Sequence, residues 1–164
     1  MQLELILEHS RSLPRRRFAA GDVVLREGAA DGLLFVLDEG AVEIVKRDIQ
    51  ISTISEPGSV FGEMSALLGV PHTSTVRALG DATFYVADDP MGFLQTRPAI
   101  ALEVAKLLSR RLQLVTDYLA DVKEQFSDRS DHLGMVDEVL DALVHHQDPP
   151  SEAGSDRHPD PTVD

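Results

Sequence analysis

The stretch FGEMSALLGVPHTSTVRA, residues 61 to 78, gathers the groups of this chain best able to hold a small anion. Gly62 stands where a helical turn opens. The first N–H groups of such a turn have no intrahelical partner, and with the positive end of the local dipole they favour a negative charge. Glycine suits that place because an anion must come within hydrogen-bond distance of the backbone there. Glu63 follows with a carboxylate that accepts charge-assisted hydrogen bonds. Phe61, Met64 and Ser65 complete the turn, Gly69 and Pro71 end it, and His72, Thr73 and Ser74 lead into an alternating strand with an imidazole and two hydroxyls to offer. Each group also has a plainer reading. A glutamate in a first helical turn is favourable through the dipole alone, and a lone histidine on a surface loop needs no role.

The elements that must position these groups are short. VVLRE (Val23 to Glu27) follows Gly21-Asp22, LLFVLDE (Leu33 to Glu39) follows Asp31-Gly32, and AVEIVKR (Ala41 to Arg47) follows Gly40. QISTIS (Gln50 to Ser55), the turn EPGS, the stretch above and TFYVA (Thr83 to Ala87) complete the series. Short strands at this spacing, rich in Val, Ile, Phe and Tyr and punctuated by glycine, indicate an antiparallel sandwich or barrel. The fold class expected is mainly β with C-terminal helices, the β part a small double-stranded jelly-roll barrel. Three arginines, Arg15 to Arg17, open it as a solvated edge that discourages edge-to-edge pairing.

After Asp89 the period changes. Ala105, Leu108, Leu112, Val115, Leu119, Val122 and Phe126 recur in a three-four alternation, which predicts a helix over 97–126 with an apolar seam. Such a helix extends about 45 Å, longer than a small barrel can cover. The seam therefore predicts a parallel homodimer, the alternative being a helix packed on its own barrel. A break and an N-cap at Ser130 precede a second amphipathic helix within 127–147, where Leu133, Val136, Leu140, Leu143 and Val144 share a face. Residues 148–164, acidic and rich in Pro and Ser, are expected to be a disordered tail.

At 164 residues and 43% hydrophobic content the chain suffices for one cored domain, 1–126, plus appendages. The absence of cysteine excludes disulfides and thiolate metal sites and fits a reducing compartment. MQLELILEHS lacks a basic leader and no apolar run approaches membrane length, so no membrane association is expected and the location expected is cytoplasmic. The net charge of −13 opposes binding to DNA, and residues 127–164 carry ten acids against two bases, so most of the excess lies beyond Phe126. No metal site is expected: His145-His146 and His158 read as polar residues, and only His72 among the 6 histidines falls in the strand region, too few for a metal-dependent oxygenase. No nucleophile elbow, Walker loop or dinucleotide fingerprint is present, so the chain is not expected to be an enzyme.

GDVVLREG, DGLLFVLDEGAVEIV and FGEMSALLGVPHTSTVRA, followed by a long helix, together resemble the cyclic nucleotide-binding domain family. This is the sensor module of catabolite activator and Fnr-like proteins, cyclic-nucleotide-dependent kinases and some channels. The resemblance covers about Phe18 to Phe126. It implies that the central stretch is a phosphate-binding cassette for cAMP or cGMP, with no further cofactor, and that Glu63 accepts from the ribose 2′-hydroxyl. The ligand contacts it implies are Phe61, Gly62, Glu63, Met64, Ser65, His72, Thr73, Ser74 and, on the long helix, Thr116 beside an apolar Val115. Thr73 is similar to the threonine of members that favour cyclic GMP.

One position departs from the family. Where binding members place an arginine against the phosphate, this chain has His72. Arginine makes two parallel bonds with a permanent charge, whereas histidine offers one donor on each side of a smaller ring. Holding a histidine charged at pH 7 costs about 0.7 kcal/mol, and a charge-assisted hydrogen bond contributes about 1.5–3 kcal/mol, so the expected weakening is on the order of ten- to several-hundred-fold. Arg77 lies five residues along the strand and should face the other way. A helix-turn-helix, expected in a transcription factor of this type, has no counterpart after Phe126. Output is then expected through a protein partner docking at Asp131–His146, whose alternative is a helix folded back on its own chain. Two readings follow: a regulatory sensor, or a degenerate module that keeps the fold for interaction or dimerisation.

Overall fold

A computed structural model describes residues 2–126 and 130–145. Its elements are α1 (Gln2–Ser10), β1 (Arg15–Phe18), β2 (Val23–Leu25), β3 (Leu34–Glu39), β4 (Val42–Lys46), β5 (Ile49–Ile54), β6 (Val60–Phe61), α2 (Glu63–Leu68), β7 (Thr75–Ala78), β8 (Ala82–Ala87), α3 (Pro90–Gln95), α4 (Pro98–Gln125) and α5 (Ser130–His145). Two four-stranded sheets, ordered β1-β8-β3-β6 and β2-β7-β4-β5, pair antiparallel throughout and form the jelly roll.

The core lies between the sheets. Val24, Leu25, Phe35, Leu37, Val42, Phe61, Val76, Ala78, Phe84 and Val86 are buried together, and Phe18, Phe35, Phe61 and Phe84 meet edge to face, the arrangement the ring quadrupole favours. Strand β3 is buried on both faces because α1 packs on it, with Ile6 enclosed. This is why LLFVL reads as a continuous apolar run and not as an alternation. β1, with its three exposed arginines, is the outer strand of its sheet. The β4–β5 hairpin turns on Arg47 and Asp48, both at positive φ. The Arg47 N–H donates to Glu27 Oε2 at 3.1 Å, which supports a conformation non-glycine residues rarely adopt.

The structure adds two helices to those the periodicity predicts. α1 is too short to display a clear period, and α3 is set by local chemistry: Pro90 at its first turn, with the Asp89 carboxylate accepting from Gly92 N–H at 3.1 Å. The strand expected over TSTVRA begins at Thr75, which leaves His72, Thr73 and Ser74 in the preceding loop.

The chain divides into two compact units within α4, the first ending at Ala105 and the second starting at Lys106. In the first, α4 buries Ile100, Glu103 and Val104, a face distinct from the seam. In the second, Leu112, Val115 and Phe126 of the seam are exposed, as are Leu114 and Tyr118, while Leu108, Leu119 and Val122 are half-buried. Ala105 is exposed. Lys123 and Asp137 form an ion pair between α4 and α5, on which Val136, Leu140 and Leu143 are half-buried. The acidic tail 148–164, His146 and the side chains of Leu133 and Val144 lie outside the described residues.

Candidate functional site

β6 delivers the chain to the site by pairing with β3, Phe61 opposite Phe35. The Phe61 ring is in the core against Phe84, so only its backbone is left to contribute to the turn. Gly62 then turns at φ +86. A Cβ there would lie 2.5 Å from the Leu33 carbonyl oxygen and 3.3 Å from His72 Cε1, so both backbone conformation and space require glycine. The helix it opens, α2, has no side-chain cap at its N-terminus. It closes at Gly69 (φ +67), whose N–H donates to Ser65 O at 2.9 Å. Glu63 is 8% exposed and Ser65 is buried, whereas Met64, Leu67, Leu68 and Val70 stand exposed. The turn directs its one carboxylate and one hydroxyl inward.

His72 is brought beside this turn by a two-sided clamp on the β2–β3 loop: its N–H donates to Ala29 O at 2.9 Å and its carbonyl accepts from Gly28 N–H at 2.8 Å. Thr75 Oγ1 accepts from Glu27 N–H at 3.0 Å and extends the seam between the two segments. The imidazole is buried, its side chain 2% exposed, and Nε2 meets Asp31 Oδ1 at 2.6 Å. That carboxylate oxygen also accepts from Leu33 N–H at 3.0 Å. The surface-loop alternative for His72 is thus corrected: the residue is an internal one with an acidic partner. Asp31 had no sequence signal beyond its turn chemistry, because the pair spans 41 positions.

The remaining candidates separate. Thr73 and Ser74 are half-buried, and Thr73 Oγ1 lies 4.0 Å from Met64 Sδ. Arg77 is exposed and its guanidinium meets Glu43 Oε1 at 3.3 Å, while Glu43 Oε2 accepts from Gln50 Nε2 at 3.1 Å. It does not accompany His72, and the reason is that His72 precedes the strand, not strand parity. Thr116 sits on α4 in the second unit, its hydroxyl donating to Leu112 O at 2.8 Å. A separate concavity of about 430 Å³, lined by Arg15, Arg17, Glu39, Asp81 and Thr83, has charges of both signs. Among the described residues no group of histidines and carboxylates has the arrangement of a metal site.

Residues 15–90 match the family model described as "Cyclic nucleotide-binding domain". This segment belongs to the cyclic nucleotide-binding domain family. The domain's relatives include a cAMP-dependent protein kinase regulatory subunit of Debaryomyces hansenii, 27% identical over 138 residues, which cover 83% of this chain and 28% of the relative. The chain thus spans under a third of that relative's length. Among solved structures the domain is similar to the Thermus thermophilus catabolite activator protein, with a TM-score of 0.61 at 23% identity over 75% of this chain and 59% of the other. It is also similar to the N-terminal domain of a Streptomyces coelicolor A3(2) transcriptional regulator, with a TM-score of 0.51 at 26% identity over 68% and 81%. These likenesses show the jelly-roll fold. The family match ends at residue 90, so α4 and α5 lie beyond it.

Proposed function

We propose that this domain binds a cyclic purine nucleotide, cAMP or cGMP, at the turn after β6, and that occupancy is relayed through α4 to a partner. The observation that carries the reading is the family match over residues 15–90, which includes the turn at Gly62, whose positive φ and close approach to the Leu33 carbonyl require glycine at the start of α2. The inward Glu63 carboxylate suits a ribose 2′-hydroxyl, and Ser65, His72, Thr73 and Ser74 supply polar groups around the phosphate. Thr116 is the candidate base contact. With a histidine in place of the arginine fork, a micromolar affinity is expected. The exposed seam of α4 supports a homodimer, and α5 supports a docked protein partner, while its ion pair with Lys123 favours a partly folded-back helix.

The test is thermal melting with millimolar cAMP, millimolar cGMP or neither, on the wild type and on His72→Arg. A ligand at a hundred times its Kd stabilises by about 2.7 kcal/mol. A shift in the wild type that grows in His72→Arg supports the sensor. A second reading is favoured by the His72–Asp31 pair, which already gives the imidazole a partner within the protein: a module that keeps the fold and not the ligand. It predicts no shift in the wild type. Absence of a shift in both proteins would eliminate the sensor.

A further inference from the structure

We infer that Asp31 is a built-in competitor for the phosphate seat: its carboxylate holds His72 where a ligand phosphate would, and a cyclic nucleotide enters by exchanging that counter-ion. The inference rests on the cyclic nucleotide reading above and adds its regulation.

Three features carry it. His72 is held in place by the backbone clamp to Gly28 and Ala29, with its Cε1 beside the position a Gly62 Cβ would occupy, so the imidazole borders the turn proposed to take the phosphate. The edge of the ring bearing Nε2 is taken by Asp31 at 2.6 Å. An arginine fork has donors enough to hold a carboxylate and a phosphate together, but an imidazole presents one donor on each edge. The exchange takes Nε2 as the edge that would meet the phosphate; occupation of that edge by Asp31 and by a phosphate is mutually exclusive, and two anions at contact distance repel besides.

The third feature is that the carboxylate, not the histidine, is free to leave. The Asp31 side chain is 38% exposed against 2% for His72. Asp31 is followed by Gly32 at φ +67, and Gly28 precedes the loop at φ +85, both with open space where a side chain would stand. Turning Asp31 toward water disrupts no packed core, and its main closed-state tie besides His72 is the Leu33 N–H. A site whose binding-competent form is only a fraction of the population has its apparent affinity reduced by that fraction. Removing the charge of Asp31 should restore it.

The test is isothermal titration of the full chain with cAMP and with cGMP. Asp31→Asn retains an acceptor for Leu33 N–H while removing the charge, and Asp31→Ser offers a shorter acceptor should the first variant fold poorly. Both are expected to bind about three- to thirtyfold more tightly than the wild type, and the gain is expected to vanish in a His72→Gln background. Tightening that persists in that background overturns the exchange, since Asp31 would then act by charge at large. If the wild type binds and neither variant binds more tightly, this inference falls and the cyclic nucleotide reading stands. If the wild type, both Asp31 variants and His72→Arg all fail to bind either nucleotide, both fall together. Tighter binding in the Asp31 variants than in the wild type, lost in the His72→Gln background, supports both.

Discussion

In the barrel, four phenylalanine rings meet at centroid separations of 5.6 to 6.1 Å, and the inward residues of both sheets are enclosed. Past Ala105 the same chain leaves Leu112, Leu114, Val115, Tyr118 and Phe126 exposed. The first region completes its own core; the second has apolar surface in excess of what it covers. Exposed apolar surface of this kind marks places where something else binds, and the difference supports the proposal that the helices meet a partner or a second copy. The candidate site repeats the contrast on a smaller scale. Its Gly62–Glu63 side is set by a backbone turn at positive φ, and its His72 side by a side-chain pair with Asp31.

The largest effect should come from the barrel. Phe84→Ala removes the ring that the other three pack against, and is expected to cost about 3–5 kcal/mol in urea unfolding, enough to leave little folded protein. A loss below about 1 kcal/mol would mean the barrel core is looser than its ring contacts imply. Next, Gly62→Ala should cost about 1–3 kcal/mol through its positive φ and the Leu33 carbonyl, and should abolish any ligand-dependent shift in melting temperature. Retained stability with lost shift would sharpen the assignment of this turn to binding.

The helical side is tested by Leu112→Lys with Val115→Lys. The unfolding of the barrel should move by no more than about 0.5 kcal/mol, while sedimentation equilibrium should show the particle halved from dimer to monomer. An unchanged mass together with a destabilised barrel would instead show that the seam serves the barrel, and the comparison would break. The smallest effect is expected for Arg77→Met. Its pairing with Glu43 is half exposed, and such pairs contribute about 0–1 kcal/mol, so neither stability nor nucleotide binding should change measurably. A lost ligand shift in that variant would restore Arg77 to the site.

Much of this arrangement was legible before any coordinates. The jelly roll follows from short Val-, Ile- and Phe-rich runs between glycine turns, because strand alternation and turn chemistry are local properties written into neighbouring residues. The seam of α4 was legible for the same reason: a three-four repeat is visible over any two turns. α1 was missed since nine residues show too little period, and its reason to be helical is the outer face of β3 on which it packs. Phe61 is a ligand contact that the family resemblance implies, and its side chain lies in the core; neighbours along a strand point to opposite faces, and only the sheet pairing decides which face is inside.

The sequence by itself determined the class of fold and the glycine-hinged turn with its carboxylate, since each depends on residue type and short spacing, and its resemblance to the family placed His72 where binding members carry an arginine. Only the tertiary structure decided that His72 is buried, that Asp31 is its partner and that Arg77 is committed to Glu43. Those facts depend on which loops the closed barrel brings together, and a carboxylate 41 positions away leaves no local trace of the contact it will make.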